Sequence, residues 1–403
     1  MLAIFNFLAI AGCATATLHH VYVGQTAGSF INALEIDDAT RQVYLMGLIP
    51  ASGASPSLVL APGDYSKLHL FGSEPQKGTL TRYTVQPDYS LINEGTADIP
   101  ASCNTTKFTT LHLTSGKQAP YSIFGSASTG QCSTLFSLTV SGFSTLRSRE
   151  FAGDIRSLAW SPNGRHLHAL DSHSSAKSAT SIFNFFIAPE PTLLDQNITD
   201  TLANVTGATQ MVTHPTGNLV YVVTDTNELV TISLSEDVSK ESSPSRYKIL
   251  PSSIDASMYT TSSLTISSSK TSLWTLSQSN LQAVITVFSL DATTGAVISA
   301  VARAAWSGYG YGQIAPAPFV GNDIVAITNS PTGIVAILGL DVGVVPAGEH
   351  GEVKVEGEED GFLEEVWMLN VKRDGSAAVA PKLKSFGRID LGFDTLGEGV
   401  WVD

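Results

Sequence analysis

Charge is scarce in this chain, so the few ionisable side chains that recur at a fixed distance from a turn are the ones able to do chemistry. Lys and Arg number 22, Asp and Glu 36, and the formal net charge is −14 over 403 residues. Six turn residues serve as markers: Gly63, Gly116, Gly164, Gly217, Lys270 and Gly321. Eight residues before them stand Ser55, Phe108, Arg156, Thr209, Ser262 and Gln313; eight after stand Phe71, Phe124, Ser172, Asp225, Gln278 and Asn329. Arg156 is the only cation in these two sets and Asp225 the only carboxylate, with Asp171 and His173 flanking Ser172. Such a group can hold a carboxylate on a guanidinium and move a proton through Asp225 or His173. Thr209, Gln278 and Gln313 supply neutral hydrogen bonds to the same substrate. The plainer reading is a polar mouth that water alone lines.

The elements that would position these residues are hairpins. Gln210 to Asp225, QMVTHPTGNLVYVVTD, reads as strand, turn and strand, with Pro215 to Asn218 as turn chemistry. Similar hairpins surround each marker, and the markers are 48 to 53 residues apart. Five of the six are Gly, which suits a left-handed turn position. Later strand candidates follow in most units, for example Leu80 to Val85 and Val284 to Leu290. A period of about 50 residues with about four strands per unit predicts an all-β fold, a seven-bladed β-propeller. Six units are complete. The seventh is assembled by pairing the N-terminal strands with the C-terminal strand Gly399 to Val402, which closes the ring and removes an edge. The acidic run Glu349 to Asp360 and the polar run Ser235 to Ser245 are expected to be solvated loops.

Leu2 to Ala11 is apolar and Ala14-Thr15-Ala16 is small, so residues 1–16 are expected to be a signal peptide cleaved near Ala16. A single propeller domain then spans 17–403 in a secreted, extracellular protein. Cleavage removes Cys13 and leaves Cys103 and Cys132, an even count that predicts one disulfide contributing about 3 kcal/mol. Asn104, Asn197 and Asn204 begin glycosylation sequons. The acidic balance argues against nucleic-acid and membrane partners. No zinc-ligand spacing, phosphate loop or GxSxG elbow occurs, so neither metal nor cofactor is expected. His214, before Pro215, reads as structural, and His19-His20 as an adventitious metal site at most. The oligomeric state is left open.

Several stretches resemble the fungal 3-carboxy-cis,cis-muconate lactonizing enzymes, within the wider seven-bladed lactonase propellers. They are Lys117 to Tyr121 (KQAPY), the His214 to Asn218 turn with Tyr221, Ala326 to Thr328, and Val400 to Asp403. The resemblance implies cofactor-free cyclisation of a diene carboxylate to a lactone, with catalytic positions at a His, two Arg and a Glu. Matched by turn position, Arg156 stands for the His, Thr209 and Gln278 for the Arg pair, and Asp225 for the Glu, while Asp171 matches. Thr and Gln cannot replace a bidentate charged hydrogen bond. The implied function is therefore cycloisomerase or lactonase chemistry on a small carboxylate or lactone, with a changed substrate. A non-catalytic secreted propeller that binds a glycan, small molecule or protein at the channel mouth is the alternative.

Overall fold

A computed structural model describes residues 17–402 apart from 64–66, 76, 120, 172–180, 188–192, 202–204, 217–218, 234–243, 308–311, 320–322, 346–350, 356–362, 372–377 and 393–394. Seven antiparallel sheets follow one another around a ring, and the chain is an all-β propeller of seven blades. The only helical element among the described residues is the 3-10 turn Ala256–Met258. No helix among them is long and apolar enough to cross a membrane.

Blades 2 to 7 begin on the inner strands Leu58–Pro62, Thr110–Ser115, Ile155–Trp160, Ala208–Thr213, Thr260–Ile266 and Gln313–Pro316, and each chain segment then runs outward. Blade 1 draws on both chain ends. Its inner strand is Leu396–Trp401, paired with Leu18–Gln25, and beyond that lie Phe30–Asp37 and Gln42–Pro50. Trp401 fastens the closure by donating its indole N–H to the Ala315 carbonyl of blade 7, 3.0 Å away.

The core lies between blades, because each sheet is covered on both faces by its neighbours. Second strands such as Ser122–Ser128 and Ser272–Gln278 are accordingly buried at every residue. Val21 and Val23 of blade 1 pack with Val335 and Ile337 of blade 7, and Phe124 of blade 3 packs with Trp160 of blade 4. A ring in which every blade is sandwiched this way has no exposed face to hide, which is why continuous apolar strands suit it.

Two expectations need correction. Glycine at the turn markers is not explained by handedness alone. Gly164 (φ 66°) and the non-glycine Lys270 (φ 65°) are left-handed, whereas Gly63 and Gly116 are not. These two are small for want of space: a Cβ on Gly116 would lie 3.1 Å from the Ser122 carbonyl, and one on Gly63 would overlap the His69 ring. Gly217 and Gly321 lie outside the described residues. The acidic run is also more than a loop. Gly351–Val355 pairs with Glu365–Val371, a hairpin that extends blade 6 to six strands. Alternating Val353 and Val355 give it strand character, and Lys354 bonds Glu365 at 2.6 Å. Most of the polar run, 235–243, lies outside the described residues, and Ser245 opens the strand Ser245–Lys248.

Cys103 and Cys132 are joined in a disulfide with their Cα atoms 5.7 Å apart. Asn104 beside it is exposed, in a left-handed turn (φ 58°). Asn197 falls at a bulge in the outer strand Leu193–Thr201, while Asn204 and the segment 1–16 lie outside the described residues.

Candidate functional site

Four inner strands carry a one-residue bulge at the same point. Arg156 is the extra residue in blade 4, Thr209 in blade 5 and Ser262 in blade 6. In blade 1 the extra residue lies at Gly397-Glu398, opposite Gly24. A bulge leaves one residue out of the ladder and turns its strand, so it re-aims a side chain without breaking the sheet. Here it repeats around one mouth of the channel.

The position after each bulge makes a polar belt. The Met211 N–H donates to Ser157 Oγ (3.1 Å), Leu264 N–H to Gln210 Oε1 (2.7 Å) and Ile314 N–H to Ser263 Oγ (2.9 Å). Ser57 Oγ donates to the Leu111 carbonyl of the next blade at 3.1 Å. Each of these four side chains thus reaches the inner strand of the following blade, whose channel-side backbone groups lack a ladder partner. Glu398 fills this position in blade 1. Its carboxyl is bonded by the Leu58 N–H, Ser57 and Gln313. Glu398 is walled in by protein yet retains some accessible surface, as expected of a side chain on a narrow channel. Burial pushes its pKa up to about 8 against the lowering effect of those three bonds, so it is a neutral acid at pH 7.

The opposite wall is charged. Arg156 Nε donates to Asp154 Oδ2 at 2.6 Å, and Asp154 Oδ1 accepts from Ser128 Oγ at 2.7 Å. The Asp154 side chain is 2% exposed and that of Arg156 41%, so a buried carboxylate holds a guanidinium that reaches solvent. His112, on the inner strand of blade 3, lies within electrostatic reach of both. Burial pushes its pKa down to about 4; Asp154 opposes this and Arg156 adds to it. The imidazole is neutral at pH 7, in a form able to accept a proton.

The residues expected from the sequence divide between these walls and the scaffold. Gln278 Nε2 donates to Ser262 Oγ at 2.8 Å and faces the Gly312 carbonyl at 3.4 Å, so the two sets of turn-related residues do meet in blade 6. Gln313 reaches Glu398. Thr209 gives its hydroxyl to the carbonyls of Val223 (3.3 Å) and Thr261 (3.2 Å). Asp171 is fully buried, and its Oδ1 accepts the Asp154 N–H at 2.9 Å. Its carboxylate lies over Gly153, where a Cβ would come within 2.6 Å. Exposed Asp225 covers Gly207 in the same way, and Glu74 covers Gly53. An acidic side chain folded over a glycine that leads into the inner strand is thus a repeated structural device. His173 lies outside the described residues.

Other singled-out residues are structural. His214 is buried between the Lys270 carbonyl (3.2 Å) and Thr216. His19 and His20 diverge, stacking on Phe319 and Tyr89 respectively, so they do not form a paired metal site. Within KQAPY, Gln118 bonds the Asn163 carbonyl of the next blade at 3.0 Å. Glu398, Asp154 and His112 were not anticipated. Glu398 lies one residue before the strand expected from Gly399, in the one blade without a marker hairpin. It could have been found as the only acid in a belt otherwise made of Ser57, Thr110, Ser157, Gln210, Ser263 and Gln313.

No protein-family model matches the sequence. No curated protein matches it either. Solved structures do share the fold. The periplasmic gluconolactonase of Pseudomonas aeruginosa is 15% identical, with a TM-score of 0.64 over 96% of this chain and 99% of its own. A candidate 6-phosphogluconolactonase of Bacteroides uniformis is 11% identical, with a TM-score of 0.60 over 95% and 99%. A protein of unknown function from Desulfotomaculum acetoxidans follows at 10% identity, TM-score 0.56, over 90% and 98%. At such identities the likeness concerns the seven-bladed scaffold, and the chemistry has to be argued from this chain's own residues.

Proposed function

We propose that this propeller is a lactonase-like enzyme that acts, at the bulged mouth of its channel, on a small lactone or carboxylate of low charge. The observation that carries this reading is Arg156. It is placed out of the ladder by a bulge, fixed at Nε by buried Asp154, and still 41% exposed. A guanidinium held in this way can bind a carboxylate or polarise a lactone carbonyl. The names of the two lactonase-type neighbours agree with such chemistry.

The finer resemblance, to carboxymuconate cyclases, bears on the substrate. A tricarboxylate needs several cations, and the positions of Thr209 and Gln278 carry none. The substrate proposed is therefore neutral or singly charged. The apolar leader-like segment and the Cys103–Cys132 bond support action outside the cytoplasm.

Hydrolysis by the purified protein of a panel of five- and six-membered lactones, followed by acid release, tests the reading, with carboxymuconate cyclisation assayed in parallel. Turnover that Arg156→Ala abolishes is the expected result. If nothing is turned over, the binding-module alternative stands, which the commitment of Thr209 to scaffold hydrogen bonds favours.

A further inference from the structure

The belt position is neutral in six blades and acidic in one. Capping a neighbour's N–H requires only an acceptor, and Ser157, Gln210 and Ser263 do it without burying an ionisable group. Glu398 performs the same cap toward Leu58 with a carboxyl. Nothing in the capping role calls for a carboxyl, and enclosing one carries a desolvation cost that Ser or Gln avoids.

A second observation comes from its surroundings. Gln278 Oε1, Gln313 Oε1, Ser55 Oγ and Thr328 Oγ1 are buried without a hydrogen-bond partner among the described residues. All four border the closure strand or the adjoining blade. Thr328 pairs with Gln313 and abuts Gly399, and Ser55 precedes Pro56, against which Gly397 packs. The Gln278 amide is oriented by its bonds to Ser262 and the Gly312 carbonyl, so the vacant atom is an acceptor. Buried polar atoms left open in this way call for partners from water or a ligand.

We infer that Glu398 is the general acid of the channel site, and that the Gln313 amide oxygen beside it, together with that of Gln278 in blade 6, receives hydroxyl groups of an uncharged substrate. The inference rests on the lactonase reading. Water oxygen bonds to the lactone carbonyl carbon, and the ring C–O bond breaks with its electron pair on the ring oxygen. That oxygen takes the Glu398 proton. The proton shed by the attacking water passes to solvent, from which the Glu398 acid is restored. The bulge register puts Glu398 and Arg156 at neighbouring positions on the inner strands of blades 1 and 4, three blades apart in the ring.

Glu398→Gln keeps an acceptor for the Leu58 N–H and removes the proton. With a lactone that the wild type hydrolyses, the variant is expected to lose about 100-fold or more in kcat with KM changed less than about 3-fold. The alkaline limb of the wild-type pH profile, near pH 8, should vanish. An infrared difference titration of wild type against Glu398→Gln reads the carboxyl directly, and its protonated band should persist above pH 7. Equal turnover by both proteins, or a carboxyl already ionised below pH 6, overturns the acid role while leaving the lactonase reading intact. A wild type inactive on every lactone overturns the lactonase reading and the acid role with it.

Discussion

The two walls of the channel solve the problem of an enclosed carboxyl in opposite ways. In blade 4, Asp154 sits 2.6 Å from a guanidinium, and the pair keeps charge at the mouth. In blade 1, Glu398 has only neutral partners, Ser57, the Leu58 N–H and Gln313, and it holds its proton to about pH 8. One wall therefore offers a fixed cation and the other a transferable proton. The difference shows that residue type alone does not assign a role: Asp171 and Asp225, also carboxylates, fold back over glycines.

The largest effect expected from disturbing this contrast is at Arg156. Arg156→Ala should lower kcat/KM by about 100- to 1000-fold, as loss of a charged hydrogen bond to a developing anion does; Arg156→Lys should recover only part, because a single ammonium cannot copy the fork. Removing the other half of the pair tests its structural side. Asp154→Ala leaves Arg156 without its anchor and takes from Ser128 its nearer acceptor, and denaturant unfolding should show a loss of about 3 kcal/mol.

Breaking the neutral wall should have the reverse sign. The folded pKa of Glu398, about 8, lies above the ordinary value of 4.5, so the native state binds more protons than the unfolded chain between these values. Stability from this group is then lost as pH rises through that window. Glu398→Gln should be no more stable than wild type at pH 4 and more stable at pH 8, by roughly 3 kcal/mol after allowance for residual exposure. Melting curves that shift equally at both pH values would contradict the linkage. The smallest change is expected at Asp225→Asn, which should stay within about 0.5 kcal/mol in stability and about 2-fold in turnover, since Asp225 is exposed. A large loss of activity there would return proton transfer to the position matched by the family resemblance.

Much of the ring was legible because hairpins are local. Turn chemistry and alternating apolar residues act over about ten residues and repeat with the blades, so period, blade number and closure could be counted. The same counting located Arg156, Thr209 and Ser262, because blades 4 to 6 share one register with one bulge. It drifted where the register differs: Ser57 and Thr110, rather than Ser55 and Phe108, occupy the belt. It had no purchase on blade 1, where the strand comes from the far end of the chain.

The amino-acid order alone thus sufficed for the scaffold, its seven blades and the placing of Arg156 beside a turn-related strand end, since short-range preferences decide all three. Folding was needed to make Glu398 an acid, His112 a neutral imidazole and Asp171 a brace. Those properties depend on which remote segments enclose each group and exclude water from it. For Glu398 these come from blades 2 and 7, brought together only when the ring closes.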